Sequence, residues 1–175
     1  YSTDTAMPTK KELLDRIQAK ADKIRAEEDE QQVDWAARRE WWIKQVSDLF
    51  DHLIQLLEPV THAGNISAER ISIELSEEQL GQYKIDQLSF KIGHKKVVLK
   101  PVASVIFGGV GRIDLAAPRG SARLILASPD GADARDYMTN AKWHVTAPGR
   151  AQPLEVMDDE IFLEMFSELI DLRSH

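Results

Sequence analysis

The side chains that could perform chemistry in this sequence are scattered, and none has a recognised catalytic or metal-binding spacing. The five histidines include no pair three or four residues apart, the spacing that places two ligands on one helical face: His52, His62, His94, His144 and His175. Cysteine is absent, which excludes thiol nucleophiles and cysteine zinc sites and favours a reducing, cytoplasmic location. No Gly-x-Ser-x-Gly turn exposes a serine. We therefore expect no catalytic residue, no metal, no cofactor and no enzyme activity.

Two local motifs resemble ligand sites, but each has a structural explanation. The glycine-rich segment at residues 108–112 could cradle a phosphate, yet the residues after it alternate as in a strand and lack the Walker ending. A hairpin or bulge is therefore expected there, with Arg112 and Asp114 in ion pairs to a neighbouring strand or capping the turn. The acidic cluster Asp158-Asp159-Glu160 is typical of a helix N-terminus, where negative charge complements the helix dipole.

The most distinctive local segment joins tryptophans to arginines. Trp35 and Trp42 are seven residues apart and share a helical face, while Arg38 and Arg39 lie between them. Trp42 is expected to pack in the core. For Trp35, a core position and an anchor for a protein partner are almost equally favoured, because interface hot spots are enriched in Trp and Arg.

Charge is divided unevenly along the chain, whose formal net charge is -7. Residues 1–85 carry 17 acidic and 11 basic side chains, residues 86–150 carry 5 and 10, and residues 151–175 carry 7 and 1. The basic middle region suggests a patch that attracts nucleic-acid phosphates, and its strand-region bases are Lys91, Lys95, Lys96, Lys100, Arg112, Arg119 and Arg123. Of these, Lys91, Lys95, Lys96, Lys100 and Arg112 are the candidate contacts. The favoured alternative is that acidic helices neutralise these bases within the fold.

Hydrophobic periodicity predicts one long helix over residues 9–58. Thr9 and Glu12 have capping-box spacing, and no Gly or Pro occurs between Pro8 and Pro59. Two apolar stripes follow, one formed by Leu14, Ile17, Ala21 and Ile24 and the other by Trp42, Val46, Leu49, Leu53 and Leu56. A helical hairpin with a bend near residue 28 is the alternative.

The front part of the continuous helix cannot be covered by a small domain along its whole length. We expect it to project as far as about residue 34 and to pair with another chain, with a homo-oligomeric coiled coil as the first expectation. Residues 1–8 show no periodicity and are expected to be a disordered or non-native lead.

From residue 66 the period of the pattern changes to two, which predicts strands. Residues 59–65 are expected to end the helix, and short strands separated by tight turns predict an antiparallel meander of about six strands. A one-residue slip in phase is expected at Asp86-Gln87, and residues 128–140 are expected to be a flexible loop. An amphipathic helix near residues 158–172 would pack on the sheet. The predicted fold class is therefore α+β, with the sheet and final helix in residues 66–175.

Several segments together carry a resemblance to known proteins. They are Ile73-Glu74-Leu75-Ser76-Glu77-Glu78 with Leu80-Gly81 and Tyr83, Lys100-Pro101-Val102 with Ile106, Gly108 and Gly111-Arg112-Ile113-Asp114-Leu115, Lys142-Trp143-His144-Val145, and the acidic closing helix. Over most of the chain after Arg39 it resembles a group of small uncharacterised bacterial proteins. The group has Gly-Thr where this chain has Ala103-Ser104, and Lys-Ile at His144-Val145. The resemblance implies a bacterial, cytoplasmic, single-domain protein and transfers no activity and no site.

These patterns favour a non-catalytic interaction protein, such as an adaptor or an immunity-like inhibitor. Its partner would be another protein chain, contacted through the N-terminal helix at Ile17, Ile24, Trp35, Arg38 and Arg39. The alternative is a nucleic-acid-binding accessory protein that uses the basic strand region. No membrane association is expected, because no apolar run of about 18 residues is present.

Overall fold

A computed structural model describes residues 7–30, 34–106, 109–128, 137–146 and 155–171 of the chain. The chain divides into two units, residues 1–34 and residues 35–175. Residues 1–6 of the predicted lead lie outside the described residues. So do residues 31–33, where the choice between one helix and a hairpin would be decided.

The first unit is a helix, α1 (Lys10–Glu30). Its predicted capping box is confirmed, because the Thr9 amide donates to Glu12 Oε2 at 3.3 Å and the Glu12 amide donates to Thr9 Oγ1 at 3.1 Å. These two bonds satisfy amides that a helix start would otherwise leave unpaired.

The second unit begins with α2 (Trp35–Leu56), followed by the short α3 (Glu58–His62). Residues 59–65 were expected only to end the helix. Instead, Pro59 lies in the first turn of α3, where its missing amide hydrogen costs nothing. Helical structure stops before Gly64, whose φ of 90° is left-handed.

The sheet is an antiparallel meander in which every strand pairs with the next along the chain. Its strands are β1 (Ser67–Glu77), β2 (Gly81–Ile92), β3 (Lys95–Ala103), β4 (Gly111–Ala117), β5 (Gly120–Ala127), β6 (Lys142–Thr146) and β7 (Glu155–Val156). Two further helices are α4 (Tyr137–Asn140), between β5 and β6, and α5 (Asp159–Leu169), after β7. Residues 128–140 were expected to be a loop, but residues 137–140 form α4, and residues 129–136 lie outside the described residues. The α+β class is confirmed. The seventh strand was not anticipated, because two residues are too few to show a period of two.

The long hairpin of β1 and β2 buries different faces at its two ends. Tyr83 and Ile85 are buried near the hairpin turn, and Leu88 and Phe90, of the opposite parity, are buried farther along β2. The predicted slip in phase is therefore present in the burial pattern. Pairing is nevertheless unbroken from Ser67 opposite Lys91 to Glu77 opposite Gly81, so no bulge accompanies it.

One face of the sheet carries the main core. Register places side chains of β2 to β5 in one buried layer formed by Leu88, Phe90, Val97, Leu99, Ile113, Leu115, Leu124 and Leu126. Both α2 and α5 contribute to it, since Trp42 and Phe162 are fully buried in the same cluster. The ring of Phe166 on α5 meets that of Phe90 edge to face at 5.5 Å.

The acidic cluster at residues 158–160 starts α5, as expected. The Asp158 side chain accepts a hydrogen bond from the Ile161 amide at 2.8 Å, and Asp159 and Glu160 occupy the first turn. These carboxylates therefore cap the helix and complement its dipole.

Candidate functional surfaces

Helix α1 presents an apolar stripe to solvent. Leu13, Leu14, Ile17 and Ile24 are 43%, 56%, 63% and 56% exposed, respectively. All side chains from residue 10 to residue 27 are exposed. We call Leu13, Leu14, Ile17, Ala21 and Ile24 the α1 stripe. It contains Ile17 and Ile24, two of the residues that the sequence suggests as partner contacts.

Basic side chains border the α1 stripe. The helical period places Lys11 and Arg25 along one border, and Lys20 followed by the single acid Glu27 along the other. None of these three bases forms an ion pair with a described residue. Ala19 and Ala26 lie on the opposite side of the helix from the stripe.

More side chains of the segment from Trp35 to Trp42 pack inside the second unit than the sequence suggested. Trp42 is fully buried, as expected. Arg38 is only 7% exposed, and its guanidinium lies 5.9 Å from the centre of the Trp35 ring. Trp35 is partly buried against the core, and half-buried Arg39 donates to the Leu80 carbonyl at 3.3 Å. The side chain of Arg38 is thus engaged inside the fold, while partner binding by Trp35 and Arg39 stays a prediction.

Arg38 belongs to a buried polar network. It donates from Nε to Ser104 Oγ at 3.0 Å and from Nη2 to the Ser104 carbonyl at 2.7 Å. The Glu77 carboxylate accepts the amides of Ser104 and Val105, each at 3.0 Å, as well as the Tyr83 hydroxyl. Ser104, which directly follows β3, therefore links Arg38 of α2 to Glu77 of the β1–β2 hairpin.

Tyr83 is the most perturbed titratable group of this network. Burial, followed by its hydrogen bond to the Glu77 carboxylate, raises the pKa of the phenol well above its ordinary value of 10.0. The phenol donates its hydrogen bond to Glu77 and keeps its proton to a higher pH than an ordinary tyrosine. Because Tyr83 is only 6% exposed and Ser104 is fully buried, we assign this network to fold stability.

The predicted basic residues of the strands lie mainly on the other face of the sheet. In the register, Lys91 pairs with Lys96, and Lys100 pairs with Asp114, which in turn pairs with Arg123. Lys91, Lys96, Lys100 and Arg123 are exposed. We call these four residues the basic face. Arg123 was counted among the bases of the strand region but not among the candidate contacts, although strand alternation places it on the same face.

Two of the suggested bases are not part of the basic face. Arg112 donates from Nε and Nη2 to both carboxylate oxygens of Asp114, at 2.7 and 3.0 Å. The expected ion pair therefore forms, but within β4 rather than with a neighbouring strand. Lys95 lies at the β2–β3 turn, where with His94 and Pro118 it lines an open depression of about 380 Å³.

A cleft of about 410 Å³ lies between α2, the last two strands and the start of α5. Its floor includes the buried side chains of Leu53 and Phe162, and its rim carries Lys142. On the same rim, His52 Nε2 is 2.6 Å from Asp159 Oδ1. Among the described residues that line the cleft, none bears a hydroxyl or thiol. The His52–Asp159 pair therefore has no hydroxyl or thiol nucleophile beside it among these residues.

A metal site and a membrane-spanning helix were also considered from the sequence. No group of three or more His, Asp or Glu side chains there could hold a metal ion. Among the same residues, no helix has the length and apolar character needed to cross a membrane.

Comparison with known proteins adds no assignment. No family model matches the chain, and no curated protein or solved structure is significantly similar to it. The resemblance to a bacterial group stays a prediction, so a functional interpretation depends on the surfaces described above.

Proposed function

We propose that this protein is a non-catalytic interaction module that binds another protein chain through the α1 stripe. The observation that carries the proposal is the exposure of Leu13, Leu14, Ile17 and Ile24 along one side of α1. In proteins, a helix such as this one of 21 residues takes most of its stability from packing of its apolar side rather than from helix propensity.

The free energy available from such burial is sufficient for binding. Complete burial of a Leu or Ile side chain contributes about 1.5–3 kcal/mol. Because these side chains are roughly half exposed, a partner would gain on the order of 1 kcal/mol from each one. Four such contacts support a specific though moderate affinity, and they explain why so polar a helix retains an apolar stripe.

The bases at its borders indicate the chemistry of the partner. Lys11, Lys20 and Arg25 would lie at the rim of any interface formed by the stripe. A complementary partner therefore has an apolar groove or helix bordered by Asp and Glu. Such complementarity accelerates encounter and excludes basic competitors.

The same bases disfavour a second copy of this chain. In a parallel coiled coil with Leu14 and Ile17 at core positions, Lys20 faces Arg25 of the other helix. In the antiparallel arrangement that pairs Leu14 with Ile24, Lys20 faces its own counterpart. Because like charges meet in both arrangements, we propose a different protein, rather than a homo-oligomer, as the partner.

Affinity capture with two matched variants tests this proposal. The tagged chain, its Ile17→Asp/Ile24→Asp variant and its Ala19→Asp/Ala26→Asp variant are used as baits in nuclease-treated lysate of the source organism. Both variants add two acidic groups to α1, but only the first places them in the stripe. We expect a stoichiometric partner that the wild type and the alanine-site variant retain and the isoleucine-site variant loses.

Light scattering of the purified proteins distinguishes the kinds of partner. A monomeric wild type is expected. A dimer that Ile17→Asp/Ile24→Asp dissociates would show that the stripe binds a second copy, contrary to our argument from charge. Equal capture by all three baits would refute a role for the stripe in binding.

A further inference from the structure

We infer that the basic face binds the phosphate backbone of double-stranded nucleic acid. This surface belongs to the second unit and is independent of the α1 stripe. Its four bases, Lys91, Lys96, Lys100 and Arg123, belong to β2, β3 and β5, and their side chains are exposed.

The first argument is the placement of like charges opposite each other. Lys91 and Lys96 are direct cross-strand partners, so their Cα atoms are about 5 Å apart. Like charges in this position destabilise a sheet, and an anion bound between the two lysines would relieve their repulsion. Neither lysine forms an ion pair with a described residue.

The second argument is that Asp114, the acidic residue between Lys100 and Arg123, is already neutralised. Asp114 lies between Lys100 and Arg123 in the register. Both of its oxygens accept hydrogen bonds from Arg112. The charge of Asp114 is therefore matched by Arg112, and the positive charges of Lys100 and Arg123 remain available to a ligand.

The dimensions of the basic face suit a rigid polyanion. Lys96 and Lys100 are separated by about 13 Å along β3, and Lys100 and Arg123 by about 10 Å across the sheet. A duplex carries one charge per roughly 1.7 Å of its axis, so several phosphates would lie within this area. Small side chains between the bases, such as Val98, Ala116 and Ser121, leave room for a backbone to approach.

The composition of this face favours a duplex over the other polyanions. Single strands are typically held by aromatic side chains that stack on bases, and the register places no aromatic residue among Lys91, Lys96, Lys100 and Arg123. Binding at an anionic membrane surface usually buries large apolar side chains. The alanine, serine and half-buried valine between the bases supply neither aromatic rings for stacking nor large apolar side chains for insertion into a membrane surface.

The acidic residues of α5 would orient the second unit on the duplex. This helix contains Asp159, Glu160, Glu164 and Glu168 and no basic residue. It contributes Phe162 and Phe166 to the core on the other face of the sheet. The second unit consequently has a basic side and an acidic side, and a polyanion attracts only the basic side. This division reconciles local binding with a net charge of -7.

Fluorescence anisotropy of the full chain with a labelled DNA duplex of about 24 base pairs at about 50 mM salt tests the inference. The variants are Lys91→Ala/Lys96→Ala and Lys100→Ala/Arg123→Ala. The matched control is Lys44→Ala/Lys84→Ala, which removes the same charge from exposed positions elsewhere on the second unit. Each face variant should weaken binding at least tenfold and the control less than threefold, by the usual strength of phosphate contacts.

Salt dependence supplies a second readout that is independent of absolute affinity. Four phosphate contacts predict a slope of about -3.6 for log K against log salt, and each base removed should reduce its magnitude by about 0.9. The Ile17→Asp/Ile24→Asp variant should bind the duplex as the wild type does, which separates this site from the α1 stripe.

Three outcomes would overturn the inference. The first is the absence of binding at low salt, and the second is equal weakening in the face and control variants. The third is tighter binding to a single-stranded oligonucleotide, or to vesicles of phosphatidylcholine and phosphatidylglycerol, than to the duplex. The vesicle result would assign the basic face to membrane phosphates instead.

Discussion

The indole ring of Trp42 lies directly against the backbone of Gly111. A Cβ atom added at position 111 would come within 2.1 Å of Cζ3 of this ring. Trp42 is fully buried and also meets Trp143 with ring centroids 6.1 Å apart. Glycine at this point of β4 is therefore what allows α2 to approach the sheet closely.

Replacement of Gly111 by alanine should destabilise the protein by about 1–3 kcal/mol or more, because the added methyl group displaces a ring that is enclosed on all sides. Urea unfolding of Gly111→Ala measures the loss. The control is Gly120→Ala in β5, where the nearest atom would be Leu169 Cδ2 at 3.4 Å. Similar stabilities of the two variants would contradict the close contact between Trp42 and β4.

Ser104 should be more important for stability than its size suggests. Ser104→Ala removes the acceptor of Arg38 Nε and a donor to the Val110 carbonyl at 2.9 Å. Since these groups are then left without that partner, a loss of about 1–3 kcal/mol in the free energy of unfolding is expected.

Ser121→Ala provides the comparison for Ser104→Ala. Ser121 is exposed on β5, so its substitution should change stability by less than about 0.5 kcal/mol. Chemical denaturation of both variants, with far-ultraviolet circular dichroism as the probe, measures the difference. A neutral Ser104→Ala variant would mean that the network is not stabilising.

Tyr83 should make the stability of the protein fall at alkaline pH. Its pKa is raised in the folded state, so above pH 10 the unfolded chain loses this proton while the folded chain keeps it. From this group alone, the free energy of unfolding should fall by about 1.4 kcal/mol per pH unit until the folded-state pKa is reached. Below pH 10 the contribution is complete and constant.

The Tyr83→Phe variant isolates that contribution. Urea unfolding from about pH 8 to about pH 11 should show a shallower alkaline decline in Tyr83→Phe than in the wild type. The other two tyrosines of the chain titrate in both proteins and cancel in the comparison. Parallel declines would show that the phenol has an ordinary pKa.

Local signals in the sequence predicted most of the secondary structure. The capping box of Thr9 and Glu12, the acidic start of α5 and the period of two in the strands each depend on residues within a few positions of one another. The seventh strand was missed because β7 has two residues. Pro59 was interpreted as a stop, although proline is also favoured in the first turn of a new helix such as α3.

The candidate surfaces were predictable only in part. Strand alternation indicates which bases share a face, and applied to β5 it would have added Arg123 to the basic face. It does not indicate that Arg112 bonds to Asp114, since both expected roles for that pair involved other parts of the chain. Helical spacing places Arg38 on the same stripe as Trp35 and Trp42, but no local signal indicated Ser104 as its partner.

The sequence by itself determined most of the elements of this protein. Their periods, helix starts, turns and unequal charges follow from the types and spacing of near neighbours in the chain. Only the tertiary structure decided which face of the sheet α2 and α5 cover, and hence which bases remain exposed. It also brought Arg38 to Ser104, 66 residues away. Such contacts depend on how the twisted sheet and the helices pack together, and local periodicity contains no information about that packing.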